Sequence, residues 1–293
     1  MSRRQSWNNH LMATYNQVLK NTYSKARDDF DSLAFKRYLV ELCSSQNINL
    51  YLHMDDEMPS HIQEVFNTGI EALLQDTPLA HVLGYEWFYG RQFKVNGDVL
   101  IPRPETEELV AHVLDRIETL FGLNPKIKVA DVACGSGIIG CTLKAELPTL
   151  EVVCTDLSEL ALKVAKENAQ TLEIDVSFRQ GDMLLPLVGE TWDVIVCNPP
   201  YIELSETLDR SVKDYEPHLA LFGGEDGLML YRRFLDQLDQ VITNTTLVAF
   251  EMGYQQRQLI TQEILKRFPQ VQVECEIDLN GKERMLFFVV KKP

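Results

Sequence analysis

The chain has 293 residues, which is longer than a typical single domain of about 100 to 200 residues, so we expect a main domain and an accessory one. Hydrophobic residues make up 45% of the chain and charged residues 24%, a composition that excludes general disorder. The chain has 43 Asp and Glu against 28 Lys and Arg, and its net charge of -15 disfavours a direct nucleic-acid partner because phosphates would be repelled.

The start of the chain shows the pattern of a small helical domain. From about Trp7 to Leu83, apolar residues recur mostly at spacings of three and four, which is typical of helices. Ser60 and Gln63 form a capping-box pattern, which predicts that a helix begins there. We therefore predict an N-terminal helical domain over residues 1–84, and we expect this domain to recognise the substrate.

Targeting signals and cysteine pairs are not evident in the sequence. Met1 to Gln5 are followed by mixed polar residues instead of the apolar run of about 7 to 15 residues that a signal peptide needs. No segment reaches the ~18 apolar residues of a membrane span. The six cysteines include no C-x-x-C pair, so neither a metal site nor a disulfide framework is predicted. We expect a cytoplasmic protein without membrane contact.

A connecting β-hairpin is predicted over residues 85–104. Aromatic and β-branched residues become frequent between Tyr85 and Ile101. Asn96-Gly97 separates two short apolar runs, and this dipeptide is typical of a two-residue hairpin turn. The sequence therefore places the turn of the hairpin at Asn96-Gly97.

Residues 105–293 predict an α/β catalytic domain. A helix over about residues 106–121 is followed by apolar runs that alternate with helical patterns, a spacing typical of β-α units and of a mostly parallel, Rossmann-like sheet. The last two runs flank Asn280-Gly281 and predict a closing antiparallel hairpin. The runs are 127–133, 151–156, 176–180, 192–197, 247–252, 271–277 and 284–290.

A glycine-rich loop follows the first of these strands. It lets backbone N–H groups approach a ligand closely. Residues 135–140 also match G-x-G-x-x-G, and Asp156 follows about 20 residues later, so a nicotinamide-dependent dehydrogenase must be considered. Asp131, in the strand before the loop, would oppose a pyrophosphate and favours a cationic cofactor, whose amino group it would bind directly or through water. The loop consists of Ala133, Cys134, Gly135, Ser136 and Gly137.

Acidic residues after the next two strands complete the expected cofactor site. Asp156, followed by Leu157, is placed to accept hydrogen bonds from both hydroxyls of a ribose. Asp182 is placed to accept from an adenine amine, with Met183 packed on the ring. Each carboxylate alone fits a turn equally well, as Asp156 before the potential helix cap Ser158 shows. Their order after successive strands is what indicates a cofactor site.

The tetrapeptide Asn198-Pro199-Pro200-Tyr201 ends the fourth strand of the predicted sheet, where open α/β sheets bind ligands. The Asn198 side-chain oxygen and the Pro199 carbonyl can accept both hydrogens of a planar NH₂ group, orient it and stabilise the positive charge that develops on nitrogen. The prolines make the turn rigid, and Tyr201 can pack on the planar group. An ordinary Asn-Pro turn is the alternative. Together with the glycine loop, the tetrapeptide predicts an S-adenosylmethionine-dependent methyltransferase, with Asn198 also close to the cofactor.

Residues 82–84, 88–90 and 99–107, together with the tetrapeptide, resemble the bacterial peptide chain release factor glutamine methyltransferases. The resemblance covers nearly the whole chain and is specific over residues 99–107. It implies a class I methyltransferase fold, S-adenosyl-L-methionine as cofactor, and a release factor as protein substrate, methylated on the side-chain amide nitrogen of the glutamine in its Gly-Gly-Gln motif.

The residue roles of that family transfer onto matching positions of this chain. The resemblance implies that residues 133–137 form the cofactor loop, that Asp156 binds the ribose, that Met183 lies beside the adenine and that the tetrapeptide binds the substrate. Ala133 departs from the family, which usually has glycine there. Since alanine disfavours a positive φ, we expect a slightly altered loop that still binds the cofactor.

Other positions leave alternatives open. Arg103 and Glu105 either line the substrate pocket or form a structural pair, which we favour slightly. Residues 215–218 and 223–227 cover the substrate or form surface turns, and Glu251 supports the site or caps the sheet. The alternative substrates are a glutamine of a ribosomal protein and the exocyclic amine of adenine in nucleic acid, which the net charge disfavours.

Overall fold

The computed structural model describes residues 13–26 and 32–292 of the chain. Met1 to Gln5, where no signal peptide was predicted, and the beginning of the helical pattern at Trp7 lie outside these residues. Within the described ranges, no helix is long and apolar enough to cross a membrane. The chain forms two compact units, which divide between Leu83 and Gly84.

The first unit is built from helices around its own apolar core. The Tyr38 ring stacks on Phe66 at a centroid distance of 5.7 Å, and both are buried. A Cβ at Gly69 would lie 2.3 Å from the Tyr38 ring, so only glycine permits this approach. The helices are α1 (Tyr15–Tyr23), α2 (Leu33–Ser45), α3 (Ser60–Leu73) and α4 (Leu79–Leu83), with a 3₁₀ turn at Leu50–Leu52.

The capping box predicted for α3 is wrong. The helix begins at Ser60 as expected, but its N-cap is Pro59 and no side chain caps it. The Pro59 carbonyl accepts from the N–H groups of both Ile62 and Gln63 at 3.0 Å, so backbone bonds begin this helix. A complete capping box lies instead at the start of α1, where Thr14 and Gln17 bond each other's backbone N–H groups at 3.2 and 3.0 Å.

A two-stranded hairpin opens the second unit. Its strands are β1 (Tyr85–Phe88) and β2 (Arg91–Lys94). The turn predicted at Asn96-Gly97 is wrong, because the hairpin turns at Tyr89-Gly90. These two residues have φ values of 50° and 74°, the combination that a tight two-residue hairpin turn requires. Asn96 instead accepts from the Asp98 N–H at 3.0 Å and forms a local turn after the hairpin.

The second unit contains a seven-stranded sheet with the order β5-β4-β3-β6-β7-β9-β8. Strands β3 to β7 are parallel, and β9 runs antiparallel between β7 and β8, which confirms the predicted α/β fold and its closing hairpin. The strand order reverses between β3 and β6, so ligands are expected at the carboxyl ends of these strands. The strands are β3 (Lys128–Val132), β4 (Glu151–Asp156), β5 (Ser177–Gln180), β6 (Trp192–Cys197), β7 (Ile242–Glu251), β8 (Val273–Ile277) and β9 (Glu283–Val290).

Helices cover both faces of this sheet. Val194 and Val196 of β6 belong to one buried cluster, while Ile195 and Cys197 belong to the other, as the alternation of a strand requires. Because both faces are buried, the central strands are continuous apolar runs. The helices of this unit are α5 (Pro104–Phe121), α6 (Ile138–Glu146), α7 (Glu159–Thr171), α8 (Arg210–Lys213), α9 (Met229–Gln237) and α10 (Arg257–Arg267).

Candidate cofactor and substrate site

Two cavities adjoin at the carboxyl ends of the central parallel strands. The first has a volume of about 180 Å³ and the second of about 330 Å³. Most of the predicted cofactor residues line the first cavity, whereas Asp131 and Gly137 do not. The predicted residues on its wall are Ala133, Cys134, Gly135, Ser136, Asp156, Leu157, Asp182, Met183 and Asn198.

The glycine loop curls around one end of the first cavity. Ala133, Gly135 and Gly137 have φ values of 56°, 54° and 79°, so three of its five residues are left-handed. Ala133 thus adopts the conformation that glycine would favour, and this costs roughly 1–2 kcal/mol for a residue with a Cβ. A Cβ at Gly137 would lie 3.0 Å from Cβ of Ala165, so this glycine permits close packing on α7 instead of facing the ligand.

Asp131 lies beneath the loop and is fully buried. Its Oδ2 accepts from the Gly140 N–H at 2.8 Å, while Oδ1 has no hydrogen-bond partner. Burial raises the pKa of this carboxyl to about 7, against the lowering effect of the Gly140 bond, and the charge of Asp156 raises it further. The structure does not place Asp131 on the cavity wall where we expected it, because its side chain points from β3 towards α6 and holds that helix.

Asp156 connects the loops that follow β3 and β4. Its Oδ2 accepts from the Gly135 N–H at 2.9 Å and its Oδ1 from the Ser158 N–H at 2.8 Å. Burial raises its pKa, and the backbone donors lower it. Each carboxylate oxygen can accept a further bond, so the side chain can still receive two ligand hydroxyls. Ser158 is the N-cap of α7 and accepts from the Ala161 N–H at 3.2 Å, as its sequence context predicted.

An ion pair that the sequence did not reveal lies at the other end of the first cavity. Arg233 of α9 contacts both oxygens of Asp182 at 3.0 and 3.2 Å, and both residues line the cavity. The two side chains are about half-buried. Asp182 therefore presents a carboxylate whose charge is already balanced, and its remaining lone pairs can accept from a neutral amine.

The tetrapeptide forms the wall between the two cavities. All four of its residues line the second cavity, and Asn198 and Pro200 line both. Pro199 is buried, whereas Asn198 is half-buried at the junction. Burial raises the pKa of Tyr201 to about 12, so its hydroxyl stays neutral and does not act as a base. The structure thus places the tetrapeptide, whose Asn198 and Pro199 were predicted to orient a planar amide, between the two cavities.

The stretch 223–227 packs behind the tetrapeptide and neither covers the cavity nor forms a free surface turn. Two backbone hydrogen bonds join this part of the chain to Ile202, which follows the tetrapeptide. The Ile202 N–H donates to Leu221 O at 3.0 Å, and the Gly223 N–H donates to Ile202 O at 2.8 Å. A Cβ at Gly223 would lie 2.6 Å from the Pro200 oxygen, so glycine is required there. Of the other predicted stretch, residues 215–218, Pro217 lines the first cavity.

Arg103 lines both cavities, but its ionic partner is Glu216, at 2.5 Å. The predicted pair with Glu105 is wrong: side chains two positions apart do not face each other at a helix start, and Glu105 lies on neither cavity wall. Glu216 is 4% exposed and also accepts from the Ile101 N–H at 2.9 Å. It therefore fastens residues 101–103 to the loop that follows the tetrapeptide.

The parallel sheet with its antiparallel strand β9, together with a glycine loop after β3, defines a class I methyltransferase. The family model of the methyltransferase small domain matches residues 109–223. The structure is similar to a methyltransferase from Pyrococcus furiosus, with a TM-score of 0.51 and 15% identity, covering 75% of this chain and 95% of that one. The interpretation of the glycine loop as that of a dehydrogenase is therefore wrong.

The sequence comparisons define the family more closely. The chain is 43% identical over 255 residues to the release factor glutamine methyltransferase of Bacillus cereus, covering 85% of this chain and 90% of that protein. It is 42% identical over 231 residues to the protein of the same name from Bacillus subtilis, covering 78% and 80%. The chain belongs to the release factor glutamine methyltransferase family, which confirms the resemblance found in its motifs.

Proposed function

We propose that this protein transfers a methyl group from S-adenosyl-L-methionine to the side-chain amide nitrogen of the glutamine in the Gly-Gly-Gln motif of release factors. The observation that supports this most is the position of Asn198 and Pro200 on the walls of both cavities. A cofactor in the first cavity and an amide in the second would meet at the tetrapeptide. The family of the chain supports the same substrate.

The first cavity fits the proposed cofactor. Asp156 would accept from both ribose hydroxyls, and the Asp182 carboxylate, balanced by Arg233, would accept from the adenine amine. Leu157 and Met183 supply apolar wall for the ring. When bound, S-adenosylmethionine supplies an electrophilic methyl group on a sulfonium.

The residues of the tetrapeptide supply orientation and electrostatic stabilisation. The Asn198 side-chain oxygen and the Pro199 carbonyl would each accept one hydrogen of the substrate NH₂ and hold its nitrogen in line with the methyl group. As the new N–C bond forms and the bond between the methyl group and sulfur breaks, S-adenosylhomocysteine would leave as a neutral thioether. The positive charge that develops on nitrogen would be stabilised by the same two acceptors. The proton that nitrogen then loses passes to solvent. Tyr201 would pack on the planar amide as a neutral ring.

Recognition of the whole release factor needs surface beyond the two cavities. We propose that the helical unit before Gly84 provides part of it, because this unit has a core of its own and takes no part in the catalytic sheet. The net charge of -15 favours a protein partner over direct contact with nucleic acid. Release factors act on ribosomes, so we propose that this protein is located in the cytoplasm.

The cofactor assignment is tested by calorimetry with S-adenosylmethionine and, separately, with NAD. The wild-type protein should bind only S-adenosylmethionine. Asp156→Ala should weaken that binding by about 100-fold, since two hydrogen bonds to a charged group are lost. Asp175→Ala removes an exposed carboxylate just before β5, at the end of the sheet opposite to the cavities. It is the matched control and should bind like wild type. Binding of NAD in place of S-adenosylmethionine would refute the assignment.

The substrate assignment is tested by incubating the protein with a release factor and methyl-labelled cofactor. Mass spectrometry should find a single methyl group on the Gly-Gly-Gln peptide, and a release factor with Gln→Ala at that position should remain unlabelled. Ribosomal proteins and an adenine-containing oligonucleotide are incubated in parallel, as alternative substrates. Labelling of either of these without labelling of the release factor would overturn the proposal.

A further inference from the structure

A buried polar pair lies directly behind Asn198. Thr106, in the first turn of α5, is 1% exposed, and Glu251, at the end of β7, is 2% exposed. The Thr106 hydroxyl donates to Glu251 Oε2 at 2.7 Å, and Asn198 Nδ2 donates to Thr106 Oγ1 at 3.5 Å. Three elements that are distant in sequence thus meet behind the tetrapeptide.

The protons available on the side chains of Asn198, Thr106 and Glu251 determine the direction of each hydrogen bond between them. An ionised carboxylate only accepts, so Thr106 must give its single hydroxyl proton to Glu251. Thr106 can then only accept from Asn198, and the amide atom that faces it must be the NH₂ group. The oxygen of Asn198 is therefore the atom left for the cavities.

Glu251 is suited to this task by its own surroundings. Its backbone oxygen accepts from the Tyr231 hydroxyl at 2.7 Å, which fixes the end of β7 against α9. Burial raises the pKa of the Glu251 carboxyl to about 7, while Thr106, the nearby Arg284 and Asn198 stabilise the ionised form. The carboxylate therefore predominates above about pH 7, and the bond directions described above are those of that pH range. The side chain also reaches the wall of the second cavity.

We propose that Thr106 and Glu251 are positioning residues, which hold the Asn198 carboxamide with its oxygen towards the substrate nitrogen. This inference rests on the proposed function. An Asn198 side chain rotated by half a turn would present NH₂ to the substrate NH₂, two donors without an acceptor. Transfer would then lose the orientation on which its rate depends. Cofactor binding would remain, because its proposed polar contacts are made by Asp156 and by Asp182, which pairs with Arg233.

Thr106→Val and Thr106→Ser separate positioning from packing. Valine keeps the branched shape but lacks the hydroxyl, whereas serine keeps the hydroxyl and loses only a methyl group. We expect Thr106→Val to lower kcat by about 10- to 100-fold, with unchanged affinity for S-adenosylmethionine, and Thr106→Ser to restore most of the activity. If Thr106 served only packing, the order of the two variants would be reversed. That order would overturn the inference.

A double-mutant cycle tests whether Thr106 acts through Asn198. In an Asn198→Ala background, Thr106→Val should cause no further loss in single-turnover rate, because the group that it positions is gone. An equal loss in both backgrounds would contradict the proposal. Should Thr106→Val fail to fold, Glu251→Gln removes the charge that sets the bond directions, and its kcat should fall about 10-fold at unchanged cofactor affinity. A Glu251→Gln enzyme as fast as wild type would refute the role of Glu251.

The wild-type reaction with the release factor serves as the reference for all these variants. If the wild-type protein transfers no methyl group to the Gly-Gly-Gln peptide, the proposed function fails. If it does and Thr106→Val has the same kcat, only the positioning role fails.

Discussion

Asn198→Ala should lower kcat for methyl transfer by about 10²- to 10⁴-fold and leave the affinity for S-adenosylmethionine within about threefold of wild type. The side-chain oxygen of Asn198 is one of the two acceptors that would hold the substrate nitrogen, and Pro199 O alone cannot fix its direction. Cofactor affinity should remain because the loop after β3, Asp156 and the Asp182–Arg233 pair all lie elsewhere on the first cavity. Single-turnover assays measure the rate, and calorimetry measures the affinity.

Asn244→Ala is the matched control for this variant. Asn244 is exposed, lies on the same sheet in β7 and is remote from both cavities. It should leave both the rate and the cofactor affinity as in wild type. If Asn198→Ala lowers the two quantities equally, Asn198 holds the loop together and does not orient the substrate.

Asp131→Asn should change how the free energy of unfolding depends on pH. The Asp131 carboxyl has a pKa of about 7 in the folded chain, against an ordinary value of 3.8. Between these pH values the folded state keeps a proton that the unfolded state has released. Stability from this group is therefore fully present below about pH 4 and is lost as the pH rises through about 7. An asparagine at this position does not titrate.

The difference in stability between Asp131→Asn and wild type should therefore shift in favour of the variant by about 3 kcal/mol between pH 5 and pH 8. Urea unfolding followed by tryptophan fluorescence measures this shift, since Trp192 is fully buried in the second unit. Asp175→Asn, which removes an exposed carboxylate before β5, is the control for the loss of a carboxylate as such and is measured in parallel. Parallel curves for Asp131→Asn would show that the buried carboxyl is ionised throughout.

The glycine loop shows how far a short motif can mislead. Residues 135–140 match a dinucleotide fingerprint, and the structure explains why the match has little meaning. Gly137 allows close packing on α7, and a Cβ at Gly140 would lie 2.4 Å from Sγ of Cys154, so both glycines serve packing. Close packing of α6 and α7 therefore accounts for these two glycines whichever ligand the loop binds.

Local signals predicted most of the second unit. The apolar runs of β3 to β7 and the pattern of the closing hairpin depend on nearest neighbours along the chain, and both predictions are confirmed. The hairpin turn was misplaced because Asn96-Gly97 is statistically the stronger turn signal. Tyr89-Gly90 takes the positive φ values in its place, since the Lys94 backbone is held by the Asn168 side chain at 2.7 and 3.1 Å.

The sequence by itself determined the α/β class, the glycine loop and the tetrapeptide, because each is a continuous stretch whose chemistry can be recognised without its surroundings. Only the tertiary structure decided which side chains support them. Thr106 and Glu251 are 145 residues apart, Arg103 and Glu216 are 113 apart, and Asp182 and Arg233 are 51 apart. No local pattern connects such pairs, since they meet only where parallel strands bring their carboxyl ends to one edge of the sheet.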